Sequence, residues 1–162
     1  METIAVYWES VIKTYGFQEA CDLVLVNCDI REIGHLGEVL IDSQIESLKF
    51  ALIQDIGSKM IFRCVVEQKA EAQVLEFFKD LEQTGIINGV NRQASVGLIT
   101  FHGPHFGDRY GIAGAVYDAL DGKINLIGAG FSGSVITLVM ASREITDAKK
   151  LLSEAFEIPE YV

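Results

Sequence analysis

Apolar residues in this chain fall into two kinds of pattern. Almost unbroken runs at residues 23–28 (LVLVNC), 60–66 (MIFRCVV), 96–101 (VGLITF) and 134–141 (SVITLVMA) are rich in β-branched residues and predict buried strands. The shorter runs 50–53 (FALI) and 123–128 (KINLIG) predict two more. A helical period governs four other stretches. Residues 34–48 carry Leu36, Val39, Leu40, Ile45 and Leu48, and residues 70–81 carry Val74, Leu75, Phe77, Phe78 and Leu81. Residues 111–120 carry Ile112, Ala113, Ala115, Val116, Ala119 and Leu120, and residues 144–156 carry Ile145, Ala148, Leu151, Leu152, Ala155 and Phe156. Residues 29–33 and 102–110 read as loops, and residues 55–58 as a turn. Residues 85–89 end the second helix, and residues 90–95 lead into the next strand. Gly130 and Gly133 are expected to supply the positive φ of a hairpin turn. Residues 3–7 (TIAVY) suit an extra strand, whereas residues 9–16 fit either a short helix or an extended segment.

The order strand–helix–strand–strand–helix therefore occurs twice. Gly34-x-x-Gly37-x-Val39 matches Gly111-x-x-Gly114-x-Val116, and Leu52, Ser58 and Val65 match Leu126, Ser132 and Val139. The shift is about 77 residues at the glycines and about 74 at the hairpins, which reads as an internal duplication. Each copy with one more strand makes a ferredoxin-like βαββαβ unit of class α+β, an antiparallel sheet with both helices on one face. The expected division is 1–88 and 89–162. Tandem copies can exchange strands, which leaves residues 3–7 or 158–162 to complete the other copy's sheet. The strands are apolar on both sides, so the face without helices is expected to pack on another sheet or subunit.

Composition narrows the function classes. The chain has 162 residues, is 49% hydrophobic and carries a formal net charge of −10. Its only adjacent basic pair is Lys149–Lys150, so there is no basic face for nucleic acid or for an anionic membrane. No stretch approaches the roughly 20 apolar residues of a membrane span, and residues 1–13 lack the pattern of a signal peptide. Cys21, Cys28 and Cys64 are an odd number without paired spacing, which reads as buried or partly buried reduced thiols in a cytoplasmic protein.

Candidate chemistry gathers at residues 102–111. Gly103, Gly107 and Gly111 precede a helix, and a helix N-terminus offers backbone N–H groups and a positive dipole end to a small carboxylate or phosphate. Asp108 and Arg109 read either as a solvated pair or as partners for a ligand's ammonium and carboxylate groups. His102, His105 and Asp108 form a weak metal pattern, and no nucleophile–base spacing is present. Ser132, Gly133 and Ser134 are explained by a hairpin turn, and Ser142 by a helix start. No catalytic constellation and no cofactor are expected.

Residues 96–159 also resemble the second ACT domain of aspartokinases. The resemblance rests on the apolar strand, the glycine loop, the helix GIAGAVYDAL, Ile124–Asn125, the Ser132–Ser134 turn and the closing AKKLLSEAF. Residues 23–81 resemble an ACT domain more weakly, and the aspartokinase catalytic domain has no counterpart. The resemblance implies a tandem ACT protein that binds a free amino acid. Such a protein would be a homodimer or higher homo-oligomer that modulates its own assembly or an amino-acid biosynthetic enzyme. Carried over, the ligand site takes Gly103, His105, Gly107, Asp108, Arg109, Tyr110, Gly111 and Ile112 from the loop, with Asn125, Ile127, Gly128 and Ala129 from the second strand. In the first copy the matching positions are Asp29, Ile33, Gly34, His35 and Gln54. The sequence departs from the family at the helix starts, which lack Pro, and in FALIQD, which is apolar where the family has Asp. Two other classes stay open: an enzyme or metal-binding protein using His102, His105 and Asp108, and a scaffold subunit without ligand.

Overall fold

A computed structural model describes residues 11–32, 34, 48–56 and 59–159. The expected strand at 3–7, Tyr7, Trp8, Ile33, His35 and all of the first predicted helix except Gly34 and Leu48 lie outside the described residues. In chain order the described elements are β1 (Ile12–Lys13), β2 (Phe17–Ile30), β3 (Leu48–Ile56), β4 (Lys59–Glu67), α1 (Glu71–Gln83), β5 (Ile87–His102), α2 (Ile112–Leu120), β6 (Gly128–Phe131), β7 (Val135–Ala141), α3 (Ile145–Ala155) and β8 (Phe156–Glu157). This is an α+β fold with antiparallel strand pairs, as the two-fold repetition of the pattern predicts.

The described residues divide into two compact units. One is Asp22–Val96; the other joins the residues up to Cys21 to those from Gly97 on. This differs from the expected division at 88/89, because the chain changes unit in the middle of its two long strands, β2 and β5. Near these points Asp22 and Ser95 both adopt a left-handed backbone, each with φ 55°. Asp tolerates that region better than most residues, whereas Ser95 takes it up where the surrounding strands impose it.

In the Asp22–Val96 unit the strand order is β3-β4-β2-β5. Alternation sends Val24, Val26, Cys28 and Ile30 of β2, with Phe62, Cys64 and Val66 of β4, into one core with Val74, Phe78 and Leu81 of α1. Phe62 stacks on Phe78 with ring centroids 5.8 Å apart. Leu25 and Val65 pair across β2 and β4 on the opposite face and are also buried. Some boundaries differ from expectation. Leu48 opens β3 rather than closing a helix, and Asp29 lies in β2, not in a loop. Burial pushes both the Cys28 and the Cys64 thiols up to about 12, with the nearby Asp29 and Glu82 charges adding to the effect at Cys28. Cys21, by contrast, is exposed, because β2 is open to solvent at its start.

In the other unit β5 is followed in the sheet by β7 and then β6. Ile99 and Phe101, with Ile136, Leu138 and Met140, meet Ile112, Val116 and Leu120 of α2 and Ile145, Ala148 and Leu152 of α3. The expected strand at 123–128 forms only at its last residue, since β6 covers Gly128–Phe131. Its turn does not use left-handed glycines: neither Gly130 nor Gly133 has positive φ. Instead Ser132 closes it, with its N–H and hydroxyl both donating to the Val135 carbonyl at 2.9 Å and its hydroxyl accepting from Val135 N at 3.1 Å. A 3-10 turn over Ser142–Glu144, without a side-chain cap, starts α3. That helix stops at Ala155, and Phe156–Glu157 pair in parallel with Ile12–Lys13. The pairing resolves the ambiguous stretch 9–16 as extended from Ile12 to Lys13.

Two outcomes follow from this packing. A Cβ on Gly97 would lie 2.6 Å from Cγ1 of the buried Ile145 and 3.2 Å from the Ala20 carbonyl oxygen. Gly97→Val is therefore expected to lower unfolding free energy by about 1–3 kcal/mol in urea titrations, the usual range for overpacking. The unfolded chain releases its thiol protons near pH 9.0, whereas the folded one holds those of Cys28 and Cys64 up to about 12. The contribution of these thiols to stability is therefore complete below pH 9 and is lost as pH rises through this window. Under native conditions iodoacetamide is expected to label Cys21 and spare the other two, as peptide mapping would show.

Candidate functional site

The loop of residues 103–110 between β5 and α2 is fixed on several sides. Phe106 turns into the core, edge-on to Phe101 at 6.0 Å and beside Phe156 at 6.4 Å. Gly103 lies against the chain at Lys13 and Thr14: a Cβ there would collide with the Lys13 carbonyl and come within 2.6 Å of the Phe106 ring. Gly107 lies against the β6–β7 turn, where a Cβ would stand 2.8 Å from the Gly133 carbonyl oxygen. Glycine at these two positions thus meets a requirement of close backbone approach.

The loop ends in Gly111, which adopts φ 88° and caps α2. Its carbonyl accepts the Ala115 N–H at 2.9 Å, which opens the helical ladder. The N–H groups of Ile112, Ala113 and Gly114 precede that bond and have no partner within the helix. Among the described residues nothing stands within 4 Å of a Cβ built on Gly111 or Gly114. Ala113 and Gly114 are exposed, and Tyr110 beside them is 80% exposed. A helix N-terminus of this form can receive a carboxylate on backbone donors, favoured by the dipole.

The charged loop residues are engaged with the protein itself. Asp108 Oδ2 lies 3.0 Å from His105 Nδ1, and Arg109 Nη1 donates to the Val11 carbonyl at 2.8 Å. His105 takes φ 63°, and the Asp108 N–H returns to its carbonyl at 3.3 Å. His102 stacks on Tyr15, with ring centroids 5.2 Å apart. Among the described residues no group of three His, Cys, Asp or Glu side chains is placed to hold a metal ion.

The second-strand positions of the same unit lie beyond α2 in the chain. Asn125 follows the far end of α2, and its N–H donates to Glu144 Oε1 at 3.3 Å. A helix of 9 residues separates the two groups by about 14 Å. Ile127 N–H bonds the Val139 carbonyl at 2.8 Å, and Gly128 and Ala129 lie in β6 opposite Val139 and Leu138. In the Asp22–Val96 unit, Asp29 and Gln54 both sit opposite Ile61, on its two sides. That register places them about 9–10 Å apart on one face. Lys59 Nζ lies 3.1 Å from Asp29 Oδ2, and Arg63 donates to Gln54 Oε1 at 2.8 Å. Gly34 is exposed.

Sequence reasoning missed the residues that fix the loop from outside: Val11, Lys13, Thr14 and Gly133. Val11, Lys13 and Gly133 act through backbone atoms, so their side chains carry no signal, whereas Thr14 also donates its hydroxyl to the His102 carbonyl at 2.7 Å. The glycines at 103 and 107 were the available clue, since a glycine without positive φ often marks a close approach.

No protein-family model matches the sequence, and no curated protein is significantly similar to it. Solved structures are similar in fold. Aspartokinase alpha and beta subunits match at 15% identity and TM-score 0.75, over 88% of this chain and 97% of that one. The ligand-free regulatory subunit of aspartate kinase from Thermus thermophilus matches at 14% identity and TM-score 0.73, over 89% and 99%. E. coli aspartokinase III in complex with lysine and aspartate matches at 15% identity and TM-score 0.61, over 93% of this chain but 35% of that one. The chain thus has the fold of the regulatory subunit of aspartate kinase, and it spans about a third of the length of aspartokinase III.

The packing at Gly103 yields a direct check. Gly103→Ala drives a methyl group into the Lys13 carbonyl and the Phe106 ring. Thermal denaturation is expected to show a loss of about 1–3 kcal/mol, whereas Gly114→Ala, into open space, is expected to be neutral or slightly stabilising.

Proposed function

We propose that this chain is an amino-acid-responsive regulatory protein of the ACT type. The observation that supports this reading best is the N-terminus of α2, where left-handed Gly111 precedes the exposed Ala113 and Gly114 and, among the described residues, nothing lies within 4 Å of a Cβ built on Gly111 or Gly114. A free amino acid binds there through its carboxylate. Gly103 and Gly107 hold the loop in place, and His105, Asp108, Arg109 and Tyr110 border it. The likeness to a regulatory subunit of aspartate kinase supports a regulatory, non-catalytic role, and aspartokinase III, 35% of which matches this chain, was crystallised with lysine and aspartate. In a neighbouring domain or subunit, residues 125–129 supply the contacts to the ammonium group. The first copy takes an equivalent ligand with Asp29, Ile33, Gly34, His35 and Gln54.

The chain works as a cytoplasmic homodimer. Occupancy favours one arrangement of the assembly because the ligand binds that arrangement better. The target is the assembly itself or an enzyme of amino-acid biosynthesis. Among the described residues no helix is long and apolar enough to cross a membrane.

A thermal-shift screen with the twenty L-amino acids tests this. At about 100 times its Kd, a bound amino acid stabilises the native state by about 2.7 kcal/mol. One amino acid or a few related ones are expected to raise Tm, and Gly111→Val, which fills the open space and strains φ, is expected to abolish the rise. No rise with any amino acid would overturn the reading. A rise unchanged in Gly111→Val would move the site elsewhere.

A further inference from the structure

The far end of α2 carries a pocket of about 220 Å3. Leu120, Ile124 and Leu126 line it from the apolar side. Leu120 is only 2% exposed, and Ile124 and Leu126 pack on the same core, so this lining is fixed. Tyr117 forms an aromatic wall, half exposed, with its ring leaning on Phe131 at 5.7 Å and 43°. Asp118 and Asp121 complete the lining, and no basic side chain takes part in it. All of these residues belong to the unit that runs from Gly97 on.

The two carboxylates sit where a helix disfavours them. Asp118 lies in the last turn of α2 and Asp121 is its C-cap, at the negative end of the dipole, and that turn holds no basic residue. Among the described residues neither carboxylate has an ion-pair or hydrogen-bond partner. Lys123, the nearest base in sequence, is exposed and does not line the pocket. The chain thus departs from local electrostatic preference at one wall of a preformed apolar pocket, and such departures mark functional sites.

We propose that this pocket binds a free primary alkylammonium ion. The carboxylates, the helix dipole and the face of the Tyr117 ring all favour a positive charge. The apolar lining favours a hydrocarbon body, which an inorganic cation lacks. The volume is that of about seven water molecules, room for an ammonium group on a stem of about five carbons. The ammonium donates to the Asp118 and Asp121 carboxylates, and the stem covers Leu120, Ile124 and Leu126. The pocket is separated from the N-terminus of α2 by the length of a helix of 9 residues, about 14 Å, and its ligand needs no carboxylate. It is a second site, independent of the amino-acid reading of the other end.

Amide NMR of the full chain during titration with pentylammonium chloride tests this. Saturable shifts are expected at Asp118, Asp121, Gly122 and Ile124. Added salt is expected to weaken binding, because the carboxylates are exposed. The double variant Asp118→Asn/Asp121→Asn is expected to weaken it at least about fivefold, the upper range for one exposed ion pair. Pentan-1-ol and ammonium chloride, each with half of the recognised features, are expected to leave these amides unmoved. No saturable shift at these residues overturns the proposal, as does a Kd unchanged by salt or by the double variant. Equal binding of pentan-1-ol overturns the role of charge. Equal shifts with ammonium or magnesium chloride overturn the role of the stem. Tighter binding of N-acetyl-lysine N-methylamide than of pentylammonium overturns the free amine in favour of a peptide side chain.

Discussion

Thr14 is fully buried, and a buried polar residue must have its hydrogen bonds met within the protein. Its N–H goes to the Glu157 carbonyl and its hydroxyl to the His102 carbonyl. These two bonds join three stretches of chain that are far apart in sequence: residue 14, the end of β5 and the last described strand. The unit they close is discontinuous, since the chain leaves it at Cys21 and returns at Gly97. A unit built from two separated pieces of chain needs such a seam. Here the seam runs beside the loop that begins at Gly103, so the constraint that closes the unit also positions the candidate site.

From that seam the geometry of the loop follows. Gly103 accepts the approach of residues 13 and 14, Phe106 anchors the loop among Phe101 and Phe156, and Gly107 lets it rest on the β6–β7 turn. With these points fixed, Gly111 turns left-handed to start α2, next to the exposed Tyr110, Ala113 and Gly114. The apolar face of α2, through Ile112, Val116 and Leu120, holds the helix on the sheet while leaving its N-terminus exposed. Rigid support under an open group of donors is what a binding site requires, because little ordering remains to be done on binding.

Much of this was legible in the residues. The strands at 23–28, 60–66, 96–101 and 134–141 and the helices from 71, 112 and 145 appear because unbroken apolar runs rich in β-branched residues and a helical period of 3.6 are written in side chains. The loop at 102–110 and the helix cap at Gly111 were legible from glycine spacing. Other features were not, because backbone atoms or context decide them. The hairpin after β6 is closed by Ser132 rather than by left-handed glycines, and the run 123–128 yields only the first residue of β6. Residues 11–15 have no hydrophobic period, and their place depends on carbonyls at 102 and 157 that no local pattern announces. Likewise Asp108 and Arg109 were visible as charges, while their engagement with His105 and Val11 depends on the folded loop.

The central claim is that the first amides of α2 receive the carboxylate of an amino acid. Amide NMR of the uniformly labelled chain during titration with the amino acid that most raises its Tm measures this directly. The account predicts that the largest downfield shifts fall on Ile112, Ala113 and Gly114, with Gly111 next. Saturable shifts confined to other residues, with these amides unmoved, would contradict it.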